Sequence, residues 1–396
     1  MSSDPIVIVS AARTPMGGFQ GDFSAVAAPT LGAAAIAATL ARAGIAPALV
    51  EEVVFGCVLA AGIGQAPARQ AALGGGLPLA AGATTVNKMC GSGMKATMLA
   101  HDLIKAGSVN IAVAGGMESM TNAPYLLEKA RSGYRLGHGN IIDHMFFDGL
   151  EDAYDKGRLM GTFAEDCAQA YQFTREKQDE FAITSLTRAQ RAIADGAFAG
   201  EIVPVTIAGA KGETVVSIDE QPGKARLDKI PSLKPAFRKD GTVTAANSSS
   251  ISDGAAALLL MRASQAEKHG LTPLAKIVGH TTHAQEPSKF ATAPIGAMKK
   301  LAEKTGWSLK DVDLFEINEA FAVVTMAAMH DLNLPHDKVN INGGACALGH
   351  PIGASGARVL VTLLAALQAH GLKRGVASLC IGGGEATAMA VERLSA

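Results

Sequence analysis

Val86-Asn87-Lys88-Met89-Cys90-Gly91-Ser92-Gly93-Met94-Lys95-Ala96 is the stretch from which the rest of the chain can be read. A β-branched run, Thr84-Thr85-Val86, gives way to a glycine-bracketed turn and then to residues that predict a helix over 94–105, stopped at Gly107. Cys90 stands at the mouth of that helix, where the positive end of the dipole and unpaired N–H groups are expected to lower a thiol's pKa. Gly91, Ser92 and Gly93 leave the backbone open enough for a flat carbonyl group to approach and be held by main-chain donors. A nucleophile fits this setting. So does the small buried hydrophobe that most free cysteines are, and the turn alone does not separate the two.

Upstream, residues 6–9 form a short apolar run read as a buried strand, followed by a turn at Ala12-Arg13-Thr14-Pro15. A helix is expected over 31–43, a strand at 53–55, and a short helix over 67–73 that ends at the glycines 74–76. Downstream, a strand over 110–114 closes the unit at Gly115-Gly116. Strands alternating with helices predict a mostly parallel sheet covered on both faces. From Met120 the residues turn charged and aromatic, which marks an inserted, more exposed loop domain over about 120–248. Within it Thr162-Phe163-Ala164-Glu165 has capping-box spacing and should open a helix carrying Cys167, read as structural, while Thr174 can cap a second helix through Ile193. Lys224, Arg226, Lys229, Lys234 and Arg238 then gather between prolines, either as a solvated loop or as a surface cluster that meets phosphates.

Beyond Asn247-Ser248-Ser249-Ser250 the order of elements repeats. Val86-Asn87 before the first glycine-rich turn is echoed by Val339-Asn340 before Gly343-Gly344, the 93–107 helix by one over 356–371, and Ala112-Val113-Ala114-Gly115-Gly116 by Leu379-Cys380-Ile381-Gly382-Gly383. The echo reads either as two versions of one unit, with halves at 1–270 and 271–396, or as a chance parallel between two α/β domains; a duplication would set their glycine-rich turns facing each other across a pseudo-dyad.

Composition narrows the classes. The chain has 396 residues, 48% of them apolar, which is enough for a large core and argues against disorder. A formal charge of −1 gives no reason to expect nucleic acid. The five cysteines lack any C-x-x-C pair, so neither a disulfide framework nor a metal site is indicated, and a cytoplasmic location fits reduced thiols. The first residues carry no basic leader, the last three are no peroxisomal signal, and no uninterrupted apolar run approaches the roughly 18 residues a membrane span needs.

Three further residues could join Cys90. His350 lies in Gly349-His350-Pro351-Ile352-Gly353-Ala354-Ser355-Gly356, where small residues and a proline can fix an imidazole, either as base to a cysteine or as a core histidine. Cys380 ends an apolar strand before Ile381-Gly382-Gly383-Gly384, and Asn318, in Asn318-Glu319-Ala320-Phe321, follows the apolar 314–317. Strand ends are where α/β sheets hold ligands, although a packing cysteine and a turn asparagine fit the same positions.

These four stretches, in this order, resemble the thiolase family, and the resemblance extends over essentially the whole chain. It implies an α/β fold: a duplicated five-layered α/β/α/β/α core with an inserted loop domain. It also implies a homodimer or homotetramer, acyl-CoA thioesters and free coenzyme A as substrates, and no metal or other cofactor. On that likeness Cys90 is the acylated nucleophile, His350 its base and Cys380 the second acid/base. Asn318 positions a water, and the backbone of Gly382 helps to hold an oxyanion. Ser249 and Lys224 resemble contacts to coenzyme A, and Met160, Phe237, Phe290 and Phe321 resemble further substrate-binding positions, Met160 and Phe290 at the acyl pocket. Leu159 stands where short-chain biosynthetic relatives commonly carry His, and Phe290 where they often carry Met. The implied reaction is reversible condensation of two acetyl-CoA to acetoacetyl-CoA, or thiolysis of 3-ketoacyl-CoA. A longer-chain degradative thiolase is the nearest alternative; a decarboxylating ketoacyl synthase or a non-catalytic lipid carrier stands further off.

Overall fold

The first strand of the computed structural model runs on where the sequence predicts a turn. β1 (Ile6–Arg13) carries Arg13 to zero exposure because its guanidinium is met by two carboxylates, Nε to Glu201 at 2.6 Å and Nη1 and Nη2 to Asp219 at 2.7 and 2.9 Å. Such pairing makes a buried cation tolerable inside a sheet. The structure describes residues 4–209 and 212–394, so the readings at the extreme termini, 1–3 and 395–396, lie outside the described residues.

Then follow α1 (Ala28–Ala43), β2 (Glu52–Gly56), α2 (Pro67–Gly74), β3 (Gly82–Val86), α3 (Ser92–Ala106) and β4 (Ile111–Ser119). β4 does not stop at Gly115-Gly116. A Cβ at Gly115 would fall 2.1 Å from the Ala256 carbonyl oxygen and one at Gly116 2.1 Å from that of Gly353, so the glycines are there for close packing. After an insertion holding α4 (Met160–Tyr171) and α5 (Arg175–Ala194), the chain returns as β5 (Ser252–Arg262), β6 (Ala275–Ala284), α6 (Ala293–Thr305), β7 (Leu314–Ile317), α7 (Ala322–Leu332), α8 (Ile352–Ala369), β8 (Arg374–Ile381) and β9 (Glu385–Arg393).

The strands lie in the order β7-β8-β9-β6-β1-β5-β4-β2-β3, with Gly17–Gly18 pairing beside β5. The sheet is mixed rather than mostly parallel. β2 pairs parallel with β3 and β4, and β7 with β8, but the other pairings are antiparallel. One cause is local: only Gly382-Gly383-Gly384 separates β8 from β9, and φ of 91° and 83° at the last two allows a hairpin. The halves meet at a short seam, Val7 opposite Lys276 and Ile8 opposite Ala275, and outward from it β1-β5-β4-β2 of the first half is matched by β6-β9-β8-β7 of the second, β3 being an added edge strand of the first.

Strand periodicity distributes the core into three apolar zones. On β5, Leu259 and Met261 face outward to α1 and α2, whereas Leu258 and Leu260 face inward to α3 and α8. On β8, Ala377 and Leu379 join the same central zone, while Val376 and Cys380 face out toward α6 and α7. Five layers result, with α3 and α8 as the middle one. α8 has the length and apolarity of a membrane span, yet 83% of it is buried inside the protein, as a central helix must be. α3 and α8 cross backbone to backbone: a Cβ on Gly93 would lie 2.7 Å from the Ala357 nitrogen, and one on Gly356 would lie 2.3 Å from that of Met94.

In the insertion, Thr174 caps α5 as predicted, accepting from the Lys177 N–H at 3.3 Å. The capping box does not form. α4 begins earlier, with Leu159 at its cap; Thr162 bonds Arg158 and the Leu159 carbonyl, and the Glu165 carboxylate is taken by the N–H groups of Thr242 and Val243. A distant loop outcompetes the local cap for Glu165. Cys167 is buried in the outer apolar zone, as its structural reading required.

Gly356→Ala should destabilise the protein by about 1–3 kcal/mol in urea denaturation, through overpacking at a contact made of backbone. Gly200→Ala, where a Cβ meets nothing within 4 Å, should not.

Candidate active site

The turn before α3 is held in a conformation that few side chains adopt. Met89 has φ of 46°, and the Ser92 hydroxyl secures the turn by donating to the Met89 carbonyl at 2.6 Å and accepting from the Lys88 N–H at 2.8 Å. Gly91 lets this turn approach the strand end that bears Cys380, since a Cβ there would lie 2.4 Å from Cδ1 of Ile381. His350 precedes α8 by two residues. Its N–H lies 3.2 Å from both the Ser250 carbonyl and the Ser252 hydroxyl, and Gly349 beside it (φ 103°) has room for no Cβ against Ser252. Cys380 lies near the end of β8, and Asn318 follows β7 directly. Two helix N-termini and two strand C-termini therefore converge.

Between them lies a cavity of about 670 Å³. Cys90, His350, Cys380, Gly382, Ser249, Met160, Phe237, Phe290 and Phe321 all line it. Asn318 sits behind the histidine, its Nδ2 3.5 Å from His350 Nδ1. Lys224 stands apart: it is exposed at the end of a short helix and pairs with Glu220. The rest of the basic cluster is largely paired at the surface, Arg226 and Lys229 with Asp228 and Arg238 with Asp166. Phe321 packs edge to face against Phe237 and Phe290 at 5.9 and 6.3 Å between ring centroids, building a rigid apolar wall.

The hydrogen bonds around His350 decide its tautomer. With the single proton of the Ser355 hydroxyl assigned to the Pro351 carbonyl at 2.9 Å, the oxygen at 2.5 Å from His350 Nδ1 acts as acceptor. The ring proton is then on Nδ1. Nε2 keeps its lone pair and makes no hydrogen bond to any described residue, and the same holds for Asn318 Oδ1. Burial, helped by the Arg358 charge, pulls the imidazole down to about 3, which leaves it a neutral base at neutral pH.

Cys90 departs from the sequence expectation. Burial pushes its thiol up to about 11, although the Gly382 N–H and its own N–H pull the other way; nearby Glu118 adds to the rise. Desolvation thus outweighs the helix terminus, and the resting group is a thiol. Burial also raises Cys380, and the neighbouring Cys90 sulfur raises it further. Neither sulfur can ionise ahead of a base.

The sequence reading missed Ser355 and Glu118. Ser355 was legible as the hydroxyl one helical turn beyond His350 in the quoted motif. Glu118 follows Gly115-Gly116-Met117 but carries no local signal of its role. Its carboxylate accepts the N–H groups of Val58, Leu59 and Gly353 at 3.1, 3.0 and 2.8 Å, which ties the start of α8 to the other half, and burial pushes it up to about 7. Phe146, Phe147 and Tyr154 also line the cavity from the insertion. The ultraviolet thiolate absorbance that is lost in Cys90→Ser should be absent from the wild type at about pH 7 and emerge only toward about 11. A midpoint below about 8 would contradict the buried-thiol description.

Comparison with known proteins agrees with this geometry. The family model described as Thiolase, N-terminal domain matches residues 6–264, and Thiolase, C-terminal domain matches 271–393. Acetyl-CoA acetyltransferase 2 of Arabidopsis thaliana is 52% identical over 393 residues, covering 98% of this chain and 97% of its own. Acetyl-CoA acetyltransferase of Cupriavidus necator is 50% identical over 390 residues, with 98% and 99% covered. The crystal structure of the Bacillus anthracis acetyl-CoA acetyltransferase superposes with a TM-score of 0.96 at 42% identity, covering 99% of each chain. With both family models spanning the two halves whose helix mouths supply Cys90 and His350, the chain belongs to the thiolase family.

Proposed function

We propose that this thiolase is an acetyl-CoA acetyltransferase that moves acyl groups between coenzyme A thioesters through an acyl-enzyme on Cys90. The observation that carries the reading is the meeting of a thiol, an unpartnered imidazole nitrogen and a second thiol on one cavity.

In thiolysis His350 Nε2 takes the Cys90 proton as the sulfur attacks the 3-keto carbon. The Cα–Cβ bond then breaks, and its electron pair leaves as the enolate of acetyl-CoA. Cys380 protonates that carbon. Free coenzyme A gives its thiol proton to the Cys380 thiolate and attacks the thioester; the C–S bond to Cys90 breaks, acyl-CoA leaves, and His350 returns its proton to Cys90. Condensation is the reverse, with Cys380 removing the α-proton. The N–H groups of Cys90 and Gly382, which already point at the sulfur, would hold the acyl oxyanion. His350, with a water on Asn318, would hold the enolate oxygen. Each such donor contributes about 3–4 kcal/mol to the transition state. The thiol and base are neutral together at rest, so charge appears only during the reaction, inside a site that amplifies its stabilisation. These steps call for no metal or redox cofactor.

The relatives' names favour short acyl groups, and the aromatic wall of Phe237, Phe290 and Phe321 supports this by limiting the pocket. Ser249 on the cavity suits the pantetheine arm. A contact of Lys224 with the nucleotide end rests on resemblance alone. Assembly as a homodimer or homotetramer is supported by β3, an end strand with one edge unpaired among the described residues. Five free cysteines support a cytoplasmic location.

Mass spectrometry after brief exposure to acetyl-CoA should find acyl label on Cys90 in the wild type, none in Cys90→Ser, and retained label in Cys380→Ser together with loss of α-proton exchange. Label on Cys380 instead would reverse the two roles. Across a chain-length series, kcat/KM should fall by about tenfold or more from acetoacetyl-CoA to 3-ketodecanoyl-CoA. A rise along the series would make the enzyme a longer-chain thiolase.

A further inference from the structure

Near the opposite end of α3 from Cys90, roughly 14 Å along the helix from Ser92, three side chains from two elements turn their ligating atoms toward one point. His101 Nδ1 lies 2.9 Å from Asp102 Oδ1. His280 Nε2, from β6, lies 3.1 Å from that same oxygen and 3.3 Å from His101 Nδ1. The two rings meet edge to face at 4.9 Å between centroids. None of the three residues lines the catalytic cavity.

The dimensions of this triangle match one face of a tetrahedral coordination sphere. Bonds of about 2.0–2.1 Å to imidazole nitrogen and carboxylate oxygen put neighbouring ligand atoms roughly 3.3–3.4 Å apart. The sides observed, 2.9 to 3.3 Å, need widening by only a few tenths of an ångström. Asp102 is exposed, so the fourth position opens to solvent. Two nitrogens and one oxygen suit zinc and its first-row neighbours and ill suit calcium or magnesium, which take oxygen.

We infer that His101, Asp102 and His280 form a binding site for a divalent first-row transition ion, Zn²⁺ being the ion whose geometry it fits. Burial holds both imidazoles below the ordinary histidine range against the upward pull of Asp102; Lys304 acts with burial at both rings, and Lys105 at His101. Those lysines also oppose a cation, and Lys304 reaches the His280 carbonyl at 2.9 Å, so the site is a reversible one. Its effect is mechanical. α3 belongs to the first half and β6 to the second, and an ion shared between them pins the helix that carries Cys90 across the seam.

The test uses the full chain, stripped with a chelator and titrated with Zn²⁺ against a chromophoric competitor. One ion per chain is expected, with a rise in Tm. His280→Gln and Asp102→Asn should each weaken binding by at least about tenfold, abolish the Tm rise, and leave metal-free acetoacetyl-CoA thiolysis unchanged. Co²⁺ in place of Zn²⁺ should give the intense visible bands of a four-coordinate ion without thiolate charge transfer. Equal affinity in both variants, or a charge-transfer band that Cys90→Ser removes, would place the ion on the catalytic sulfurs and overturn the proposal. So would an absence of binding up to millimolar Zn²⁺.

Discussion

The crossing of α3 and α8 at Gly93 and Gly356 is the contact on which the rest depends. Backbone meets backbone there, with Ala357 and Met94 nitrogens where any Cβ would stand. Both helices begin within a few residues of the crossing, so the residues just before them, Cys90 and His350, are carried into one cleft. A larger side chain would separate the helices, and Cys90 would be drawn away from His350 although every local turn could still form. The duplicated fold thereby makes one site from two equivalent positions, a helix mouth from each half.

Burial of that cleft sets its chemistry. Helix termini and backbone donors favour anions, and the sequence alone suggests a thiolate at Cys90. The folded environment reverses the balance, because removing the sulfur from water costs more than those dipoles return. The same desolvation, with Arg358 nearby, keeps His350 neutral. A neutral acid beside a neutral base can move a proton when substrate arrives without holding separated charges at rest, and the Ser355–Pro351 relay keeps the receiving nitrogen aimed at the cavity.

Buried polar groups elsewhere serve to join distant segments. Arg13 binds Glu201 and Asp219 from the insertion, and Glu118 gathers the loop after β2 and the first turn of α8. Glu319 does likewise, accepting from Asn340, Ser185 and the Cys346 N–H, and so fixes the loop next to Asn318. Each of these carboxylates holds chain segments that apolar packing alone would leave free to slide.

What the sequence by itself determined is local. Apolar runs and glycine stops placed most helices and strands to within a few residues, and the repeated order of elements announced a duplicated core with an insertion. The motifs around Cys90, Asn318, His350 and Cys380 named the residues that meet. Long-range competition decided the rest. Arg13 extends β1 because carboxylates some two hundred residues away neutralise it, Glu165 leaves its cap for the loop at 242–243, and antiparallel pairings, among them the hairpin after Cys380, make the sheet mixed. The ionisation of Cys90, the tautomer of His350 and the convergence of His101, Asp102 and His280 depend on which surfaces exclude water and which strands face which helix, and those are properties of the packed chain, not of its order.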